Sequence, residues 1–248
     1  MRRRAAELEG EAKSQPPVPS FAKALQRNEV GIIAEVKRSS PSRGAINPTL
    51  DLGPQVSAYE QGGAAAISIL TEPTHFGGSN EDLINARSYV RLPLLKKDFH
   101  VEVAQIWEAR ALGASAALVI ARAVSPGALT ELIAAGREVD LEILVEVRDE
   151  AELARALGAG ATLIGVNNRN LETLEIDPDT AIRLLPKIPH GVVAIAESGV
   201  RSAADVEAVA GAGADAVLVG SYLSAAKDPQ KAVESLTGVR RTRGARQS

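Results

Sequence analysis

The chain has 248 residues and a formal net charge of −3, which allows one large α/β domain and gives no basic surface of the kind that nucleic acids require. It contains no cysteine and three histidines, so disulfides, thiolate catalysis and Cys-type zinc sites are excluded and no metal site is expected. No apolar run approaches the roughly 20 residues of a membrane helix, and the basic N-terminus lacks the apolar core of a secretory signal, so a cytoplasmic protein is predicted.

Residues 1–30 are predicted to form an N-terminal extension. Residues 1–20 are charged and then proline-rich, which indicates a frayed helix followed by an extended link. Ser20 is a candidate N-cap for a short helix that leads into the first strand. The main domain is then residues 31–238, and residues 239–248, with four arginines and no acid, are predicted to be a solvated basic tail.

Eight short apolar runs alternate with segments that are rich in Ala, Leu, Glu and Arg at helical spacing. Apolar strands alternating with amphipathic helices are typical of parallel βαβ units. The runs are Ile32–Val36, Ala65–Leu70, Pro93–Leu95, Ala116–Ile120, Glu142–Val147, Thr162–Val166, Val192–Ala196 and Ala216–Val219.

A glycine followed by small residues precedes every second run, at spacings of 50, 47 and 53 residues. Each is predicted to close a helix just before the next strand. These glycines are Gly63, Gly113, Gly160 and Gly213. A two-unit repeat over eight strands favours a (β/α)8 TIM barrel with a short N-terminal helical extension. The doubly wound alternative lacks its fingerprint, because the closely spaced glycines come before strands rather than after them.

Charged residues follow the apolar runs, at the strand ends where a barrel has its active site. Glu35 and Lys37 end the first run on the same side of the strand, about 6.6 Å apart, and alone they would more often be a surface ion pair. The pattern recurs, however, at Lys97, Glu146, Asn167, Arg169 and Glu197. Three carboxylates and two lysines at one mouth point to acid–base chemistry.

A lysine that lies near a second cation and is partly desolvated is expected to have a lowered pKa and to donate a proton near neutral pH. Lys96, by contrast, is expected to cap its strand or to face solvent.

Small-residue turns follow the seventh and eighth runs, at Ser198-Gly199 and Gly220-Ser221. Each pair alone is more often an ordinary turn, but both at these two strands predict the phosphate site of a barrel. Phe76 and Phe99 lie beside strand-end motifs, so a substrate with a flat apolar part is expected unless these rings belong to the core. The predicted ligand is therefore a small phosphorylated molecule, with no cofactor and no metal.

Seven motifs follow one another in barrel order: Ile33–Ser42, Phe76–Ser79, Leu95–Phe99, Leu144–Val147, Ile164–Leu171, Ala196–Gly199 and Val219–Ser221. In these motifs the chain resembles the indole-3-glycerol phosphate synthase family of tryptophan biosynthesis, from about Ser20 to about Gly238. The resemblance implies a carboxy-lyase that uses no metal or cofactor. Its reaction converts 1-(2-carboxyphenylamino)-1-deoxy-D-ribulose 5-phosphate to indole-3-glycerol phosphate, carbon dioxide and water.

The resemblance also implies roles for the strand-end residues. Lys97 would be the general acid at the substrate ketone, and Glu146 and Lys37 would handle protons in the later dehydration. Glu35 and Asn167 would position groups, with Glu197 as a supporting member, and the division of the acid role between Lys97 and Lys37 stays open. The implied substrate-binding residues are Ser40, Arg169, Ser198, Gly199, Gly220 and Ser221 on the polar side and Phe76, Phe99, Leu118 and Leu174 around the aromatic ring.

Some features depart from the family pattern. The leader before the first strand looks shorter than usual, and methionine is usual at the position of Ser224, where no catalytic effect is expected. Two other functions stay open: a different phosphate-binding barrel enzyme, such as a sugar-phosphate isomerase, and a catalytically silent binding or scaffold protein. The chain is expected to be a monomer, with weak self-association or docking to another pathway enzyme as alternatives.

Overall fold

Eight parallel strands close into a barrel in the computed structural model, which describes residues 2–242 and 246. Each strand pairs with the next one along the chain, and β1 pairs with β8 to close the ring. The strands are β1 Gly31–Val36, β2 Ala66–Leu70, β3 Leu94–Lys97, β4 Ala116–Ile120, β5 Glu142–Val147, β6 Leu163–Asn167, β7 Val193–Glu197 and β8 Ala216–Val219. The predicted (β/α)8 barrel is confirmed.

Helices alternate with the strands and cover the outside of the barrel, which buries each strand on both faces. They are α1 Arg2–Ser14, α2 Phe21–Leu25, α3 Leu52–Gln61, α4 Pro73–Phe76, α5 Asn80–Tyr89, α6 Val103–Ala111, α7 Pro126–Glu138, α8 Glu150–Gly158, α9 Asp179–Leu184, α10 Ala203–Gly211, α11 Ser221–Ser224 and α12 Pro229–Glu234. Short 3₁₀ turns occupy Ala121–Ala123 and Leu185–Lys187, and Ser39–Ser40 pairs with Gly44–Ala45 in the loop after β1. No helix of the described residues is long and apolar enough to cross a bilayer.

The four glycines that were predicted to close helices all do so. They are Gly63, Gly113, Gly160 and Gly213, with φ of 91°, 88°, 80° and 100°. This left-handed conformation is the one that ends a helix before a tight entry into the next strand.

Three strands extend one or two residues beyond the apolar runs that predicted them. β3, β6 and β7 end at Lys97, Asn167 and Glu197. Lys97 is still in register with Leu70, and Asn167 with Glu197. The ladder continues because backbone groups form it whatever the side chain. All of the candidate catalytic side chains except that of Lys37, which directly follows β1, therefore belong to strands instead of loops.

The N-terminal end of the barrel is closed by α2. Phe21 and Leu25 are fully buried, in an apolar cluster that draws members from all eight strands and fills the barrel interior. The carboxylate of Glu142 holds this helix in place, since it accepts hydrogen bonds from the Ser20 hydroxyl at 2.6 Å and from the backbone N–H of Ala22 at 2.6 Å. The barrel is therefore plugged at its bottom and open at the carboxyl ends of its strands.

The expectation that the first helix is frayed is wrong. Helix α1 has 13 residues and packs against α6, where Ala12 is 1% exposed. The guanidinium of Arg110 in α6 donates to the carbonyl oxygens of Gln15 and Pro16, at 3.3 and 2.8 Å. The link after α1 is thereby tied to the barrel.

The expectation that Lys96 faces solvent is also wrong. Its side chain is 3% exposed, and its Nζ lies 3.2 Å from Oδ2 of Asp98 and 3.9 Å from Oε2 of Glu108. Lys96 points outward from β3 into the layer beneath α6, and a buried ammonium there requires carboxylate partners.

The predicted solvated tail is wrong for Arg241 and Arg246. Arg246 donates to both carboxylate oxygens of Asp215 at 2.9 Å and to the carbonyl of Val192 at 2.7 Å, and Arg241 pairs with the same aspartate. Asp215 is 2% exposed and immediately precedes β8. These two arginines are therefore anchored at the N-terminal end of the barrel; residues 243–245 and 247–248 lie outside the described residues.

Candidate active site

The carboxyl ends of the strands surround a cavity of about 830 Å³. All of the predicted catalytic and substrate-binding residues line it: Glu35, Lys37, Ser40, Phe76, Lys97, Phe99, Leu118, Glu146, Asn167, Arg169, Leu174, Glu197, Ser198, Gly199, Gly220 and Ser221. The fold thus brings all of the candidate residues to one place.

Lys97 stands at the centre of this cavity. Its Nζ lies 3.5 Å from Glu197, 3.7 Å from Glu146 and 3.9 Å from Glu35. Each odd-numbered strand contributes one of these four residues: Glu35 comes from β1, Lys97 from β3, Glu146 from β5 and Glu197 from β7. Alternate strands of a TIM barrel contribute the four side chains of one interior layer. The uppermost layer of this barrel is therefore built from one ammonium and three carboxylates.

Lys37 forms a second ion pair beside this layer. Its Nζ lies 2.6 Å from Oε1 of Glu35, which is fully buried and also accepts a hydrogen bond from the hydroxyl of Ser68 at 3.4 Å. Glu35 thus bridges the two lysines. The alternative prediction, that Glu35 and Lys37 form a surface ion pair, is wrong because the Glu35 carboxylate is buried.

The surrounding charges decide the protonation of the cluster. Burial disfavours the Lys97 ammonium, but the three carboxylates, Glu197 first, outweigh this and raise its pKa above the ordinary 10.5. The expected lowering is therefore wrong, because the second lysine is itself neutralised by Glu35. Burial raises the pKa of Glu197 to about 8, with Glu146 and Glu35 adding to the effect and Lys97 opposing it. Burial also opposes the ionisation of Glu35, but Lys37 and Lys97 outweigh it and lower its pKa.

Two glycines make room for the buried carboxylates. A Cβ on Gly165 of β6 would lie 2.0 Å from Oε1 of Glu197, and one on Gly220 would lie 2.2 Å from Oε1 of Glu35. Gly220 was predicted to belong to a phosphate turn, whereas no role was predicted for Gly165. A glycine inside an otherwise apolar strand was the available signal, since it often marks a close approach.

Asn167 connects β6 to the carboxylate layer. Its Nδ2 donates to Oε1 of Glu146 at 2.9 Å, and its Oδ1 accepts from the backbone N–H of Arg169 at 2.9 Å. The Arg169 guanidinium in turn donates to the carbonyl of Leu174 at 2.6 Å. Leu174, which has a positive φ of 62°, is thereby held over the cavity.

The polar side of the cavity lies at the turns after β7 and β8. Ser198 and Gly199 both have left-handed backbone, with φ of 66° and 97°. Gly220 immediately precedes α11, which begins at Ser221. Backbone N–H groups in such turns and at the beginning of a helix are a common way to bind phosphate in a barrel.

Arg43 and Arg201, for which no role was predicted from the sequence, line the same side of the cavity. Burial and then the charges of Arg43 and Arg201 lower the pKa of Arg169, so the three guanidinium groups influence one another. In the described part of the chain no ion pair occupies the side chain of Arg43 or of Arg201. This side therefore presents positive charge that an anionic ligand can neutralise.

The opposite side of the cavity is aromatic. The ring centroids of Phe76 and Phe99 are 6.4 Å apart with an interplanar angle of 50°, and Nζ of Lys37 lies 5.9 Å from the Phe76 centroid. Phe99 is 46% exposed and Phe76 is partly exposed, so the alternative that these rings belong to the core is wrong. Leu118, 3% exposed, lines the cavity from β4.

A family model described as indole-3-glycerol phosphate synthase matches residues 1–236. The chain belongs to the indole-3-glycerol phosphate synthase family. Indole-3-glycerol phosphate synthase 1 of Streptomyces coelicolor is 49% identical over 230 residues, which cover 93% of this chain and 86% of the relative. The indole-3-glycerol phosphate synthase of Mycobacterium sp. (strain KMS) is 50% identical over 224 residues, which cover 90% of this chain and 82% of the relative.

Solved structures at much lower identity share the barrel. Thiamine phosphate pyrophosphorylase from Pyrococcus furiosus matches with a TM-score of 0.63 at 16% identity, over 84% of this chain and 94% of that one. For 3-hexulose-6-phosphate synthase from Salmonella typhimurium the TM-score is 0.66 at 16% identity, over 84% and 96%. At these identities the likeness concerns the fold alone.

Ser224, where the resemblance leads to the expectation of methionine, touches the backbone of two site residues. Its hydroxyl donates to the carbonyl of Glu35 at 2.9 Å and accepts from the backbone N–H of Lys37 at 3.0 Å. The side chain is fully buried. In this chain, therefore, α11 is tied by a hydroxyl to the end of β1.

Proposed function

We propose that the chain catalyses the reaction of its family, the conversion of 1-(2-carboxyphenylamino)-1-deoxy-D-ribulose 5-phosphate to indole-3-glycerol phosphate, carbon dioxide and water. The observation that carries the proposal is the position of the Lys97 ammonium, within 4 Å of three carboxylates and between an aromatic wall and small-residue turns. This arrangement suits a substrate that has an aryl ring at one end, a ketone in the middle and a phosphate at the other.

Ring closure requires a proton donor at the ketone. The ring carbon that bears the carboxyl group attacks the ketone carbon, and the oxygen gains negative charge as the new bond forms. Lys97 holds its proton tightly at rest because its pKa is raised, so it first acts as a charged hydrogen-bond donor to this oxygen. The proton transfers as the oxygen becomes more basic than the amine.

The later steps need the other charged groups. Loss of carbon dioxide from the ring carbon that formed the new bond returns an electron pair to the ring, and loss of the former ketone oxygen as water completes the indole. Glu146 and Lys37 are assigned the proton transfers of this dehydration, with Glu35 and Asn167 as positioning groups. Glu197, whose pKa is raised by burial and by its carboxylate neighbours, lies 3.5 Å from Lys97 and can return a proton to its amine.

Binding is assigned to the two sides of the cavity. Ser198, Gly199, Gly220 and Ser221 are assigned to the phosphate, with Ser40 and Arg169 as further polar contacts. The hydroxyl of Ser40 is buried and has no hydrogen-bond partner among the described residues, as expected of a group that a ligand completes. Phe76, Phe99, Leu118 and Leu174 are assigned to the aryl ring.

The test is the formation of indole fluorescence and carbon dioxide when purified protein meets this substrate. A saturating rise in both signals is the expected result. Turnover of a plain sugar phosphate without carbon dioxide would point instead to an isomerase, and tight binding without product would point to a silent binding protein. The expected cytoplasmic monomer stays a prediction, and light scattering of the purified chain tests the oligomeric part of it.

A further inference from the structure

Asn168 lies between two residues that line the cavity, Asn167 and Arg169, but it does not line the cavity itself. It is 3% exposed. Its sequence context alone predicts no role for it. Its surroundings, however, connect the end of β6 to the turn after β7.

All of the polar groups of Asn168 are used. Its backbone N–H donates to the carbonyl of Glu197 at 3.0 Å, and its own carbonyl accepts from the N–H of Asp177 at 2.9 Å. Its side-chain Nδ2 donates to the carbonyl of Ser198 at 3.0 Å, and its Oδ1 accepts from the N–H of Ala181 at 2.9 Å. One residue therefore fixes two successive carbonyl groups at the end of β7 and joins them to the beginning of α9.

The turn that Asn168 holds needs such a restraint. Ser198 has a φ of 66°, one of three positive values among the non-glycine residues of the described chain. The left-handed conformation is unfavourable for any residue other than glycine. It persists only where contacts with the surrounding structure hold the backbone in it. The hydrogen bond from Asn168 to the Ser198 carbonyl is one such contact.

This hydrogen bond also sets the direction of the next N–H group. The carbonyl of Ser198 and the N–H of Gly199 belong to one planar trans peptide, so they point in opposite directions. Because the carbonyl points to the buried Asn168, the Gly199 N–H points away from it. Within the described residues no acceptor bonds this N–H, which leaves it available for a ligand in the cavity that Gly199 lines.

We propose that Asn168 is a positioning residue that orients the Ser198–Gly199 peptide so that its N–H can bind the substrate phosphate. This rests on the proposed function, which assigns the phosphate to that turn. The role requires an amide side chain, since a carboxylate could not donate to Ser198 and an apolar side chain could neither donate nor accept.

The test compares Asn168→Ala with the wild type, using the natural substrate and inorganic phosphate. We expect KM for the substrate and Kd for inorganic phosphate each to rise about tenfold, the size of one lost hydrogen bond to a charged group. kcat should change much less, because Lys97 and its carboxylates do not contact Asn168 through their side chains. If the alanine variant does not fold, Asn168→Ser, which keeps a short donor and acceptor, takes its place.

Thr180→Ala is the matched control. Thr180 is 1% exposed, and its hydroxyl donates to Asp177 at 3.0 Å beside the same helix start, without contacting Ser198. It should lower the melting temperature as Asn168→Ala does but leave KM and the phosphate Kd unchanged.

Either of two results would overturn the proposal: unchanged KM and phosphate affinity in a folded Asn168 variant, or equal losses of affinity in the Thr180 control. A wild type that makes no indole product would refute the proposed function instead. The phosphate titrations require no turnover, so they would still decide the role of Asn168.

Discussion

Replacing Gly165 with alanine tests whether the reaction depends on where Glu197 stands. The new methyl group would lie 2.0 Å from Oε1 and 3.0 Å from Cδ of Glu197, but 3.4 Å from the nearest atom of Leu144. The last distance is an ordinary contact, so the clash falls on the carboxylate. Because this carboxylate is the free end of a side chain that borders the cavity, it can rotate away while β6 stays in place.

The structure indicates a small loss of stability and a large loss of rate. Overpacking a core costs about 1–3 kcal/mol, and the lower end is expected here because the displaced group has space to enter. The 3.5 Å contact between Glu197 and Lys97 would be lost. Misplacement of a catalytic group by 1 Å can cost about a hundredfold in rate, so we expect a loss of about that size in kcat, with little change in KM.

Indole fluorescence gives kcat and KM, and urea denaturation gives the free energy of unfolding. Gly158→Ala is the control, because a Cβ on this residue at the end of α8 would meet nothing within 4 Å. It should keep full activity and gain up to about 1 kcal/mol of stability. A folded Gly165→Ala variant with unchanged kcat would refute the reasoning, since the displaced carboxylate would then be irrelevant to the chemistry.

Three other predictions concern charged groups. Lys97→Ala should abolish indole formation while the circular dichroism spectrum stays native, and near-normal turnover would contradict its assignment as the acid. The pKa of Glu197 is raised from 4.5 to about 8, so the stability from its bound proton is complete below pH 4.5 and is lost as the pH rises to about 8. Glu197→Gln should therefore flatten the decline of unfolding free energy over that range, and an unchanged slope would exclude the raised pKa. Asp215→Asn should lower the unfolding free energy by about 3–5 kcal/mol, because it leaves the buried Arg246 without its counter-charge, with KM unchanged. An unchanged free energy of unfolding, measured by urea denaturation, would argue against the anchoring of Arg246 by Asp215.

Much of the barrel could be predicted because its signals are local. Each apolar run and each helix-closing glycine, such as Gly63, can be recognised within a few residues of sequence. The residues at the mouth could be predicted because strand order in a barrel follows chain order. The anchored Arg246 and the buried Lys96 could not, since nothing near them in the sequence shows that Asp215 or the α6 layer lies against them.

The pKa of Lys97 shows most clearly what residue types alone leave open. Two lysines and three glutamates can be read from the sequence, and they suggested a lysine whose pKa is lowered by its cationic neighbour. In the barrel, Lys37 pairs with Glu35 at 2.6 Å, while Lys97 faces three carboxylates. Fully ionised, the five groups would carry a net charge of −1 in a buried site. One additional proton makes the cluster neutral. Burial raises the pKa of Glu197 and the excess of negative charge adds to this rise, while the same negative charge outweighs burial and raises the pKa of Lys97. The same excess of negative charge explains why this barrel can keep a proton donor ready beside a substrate that is itself an anion.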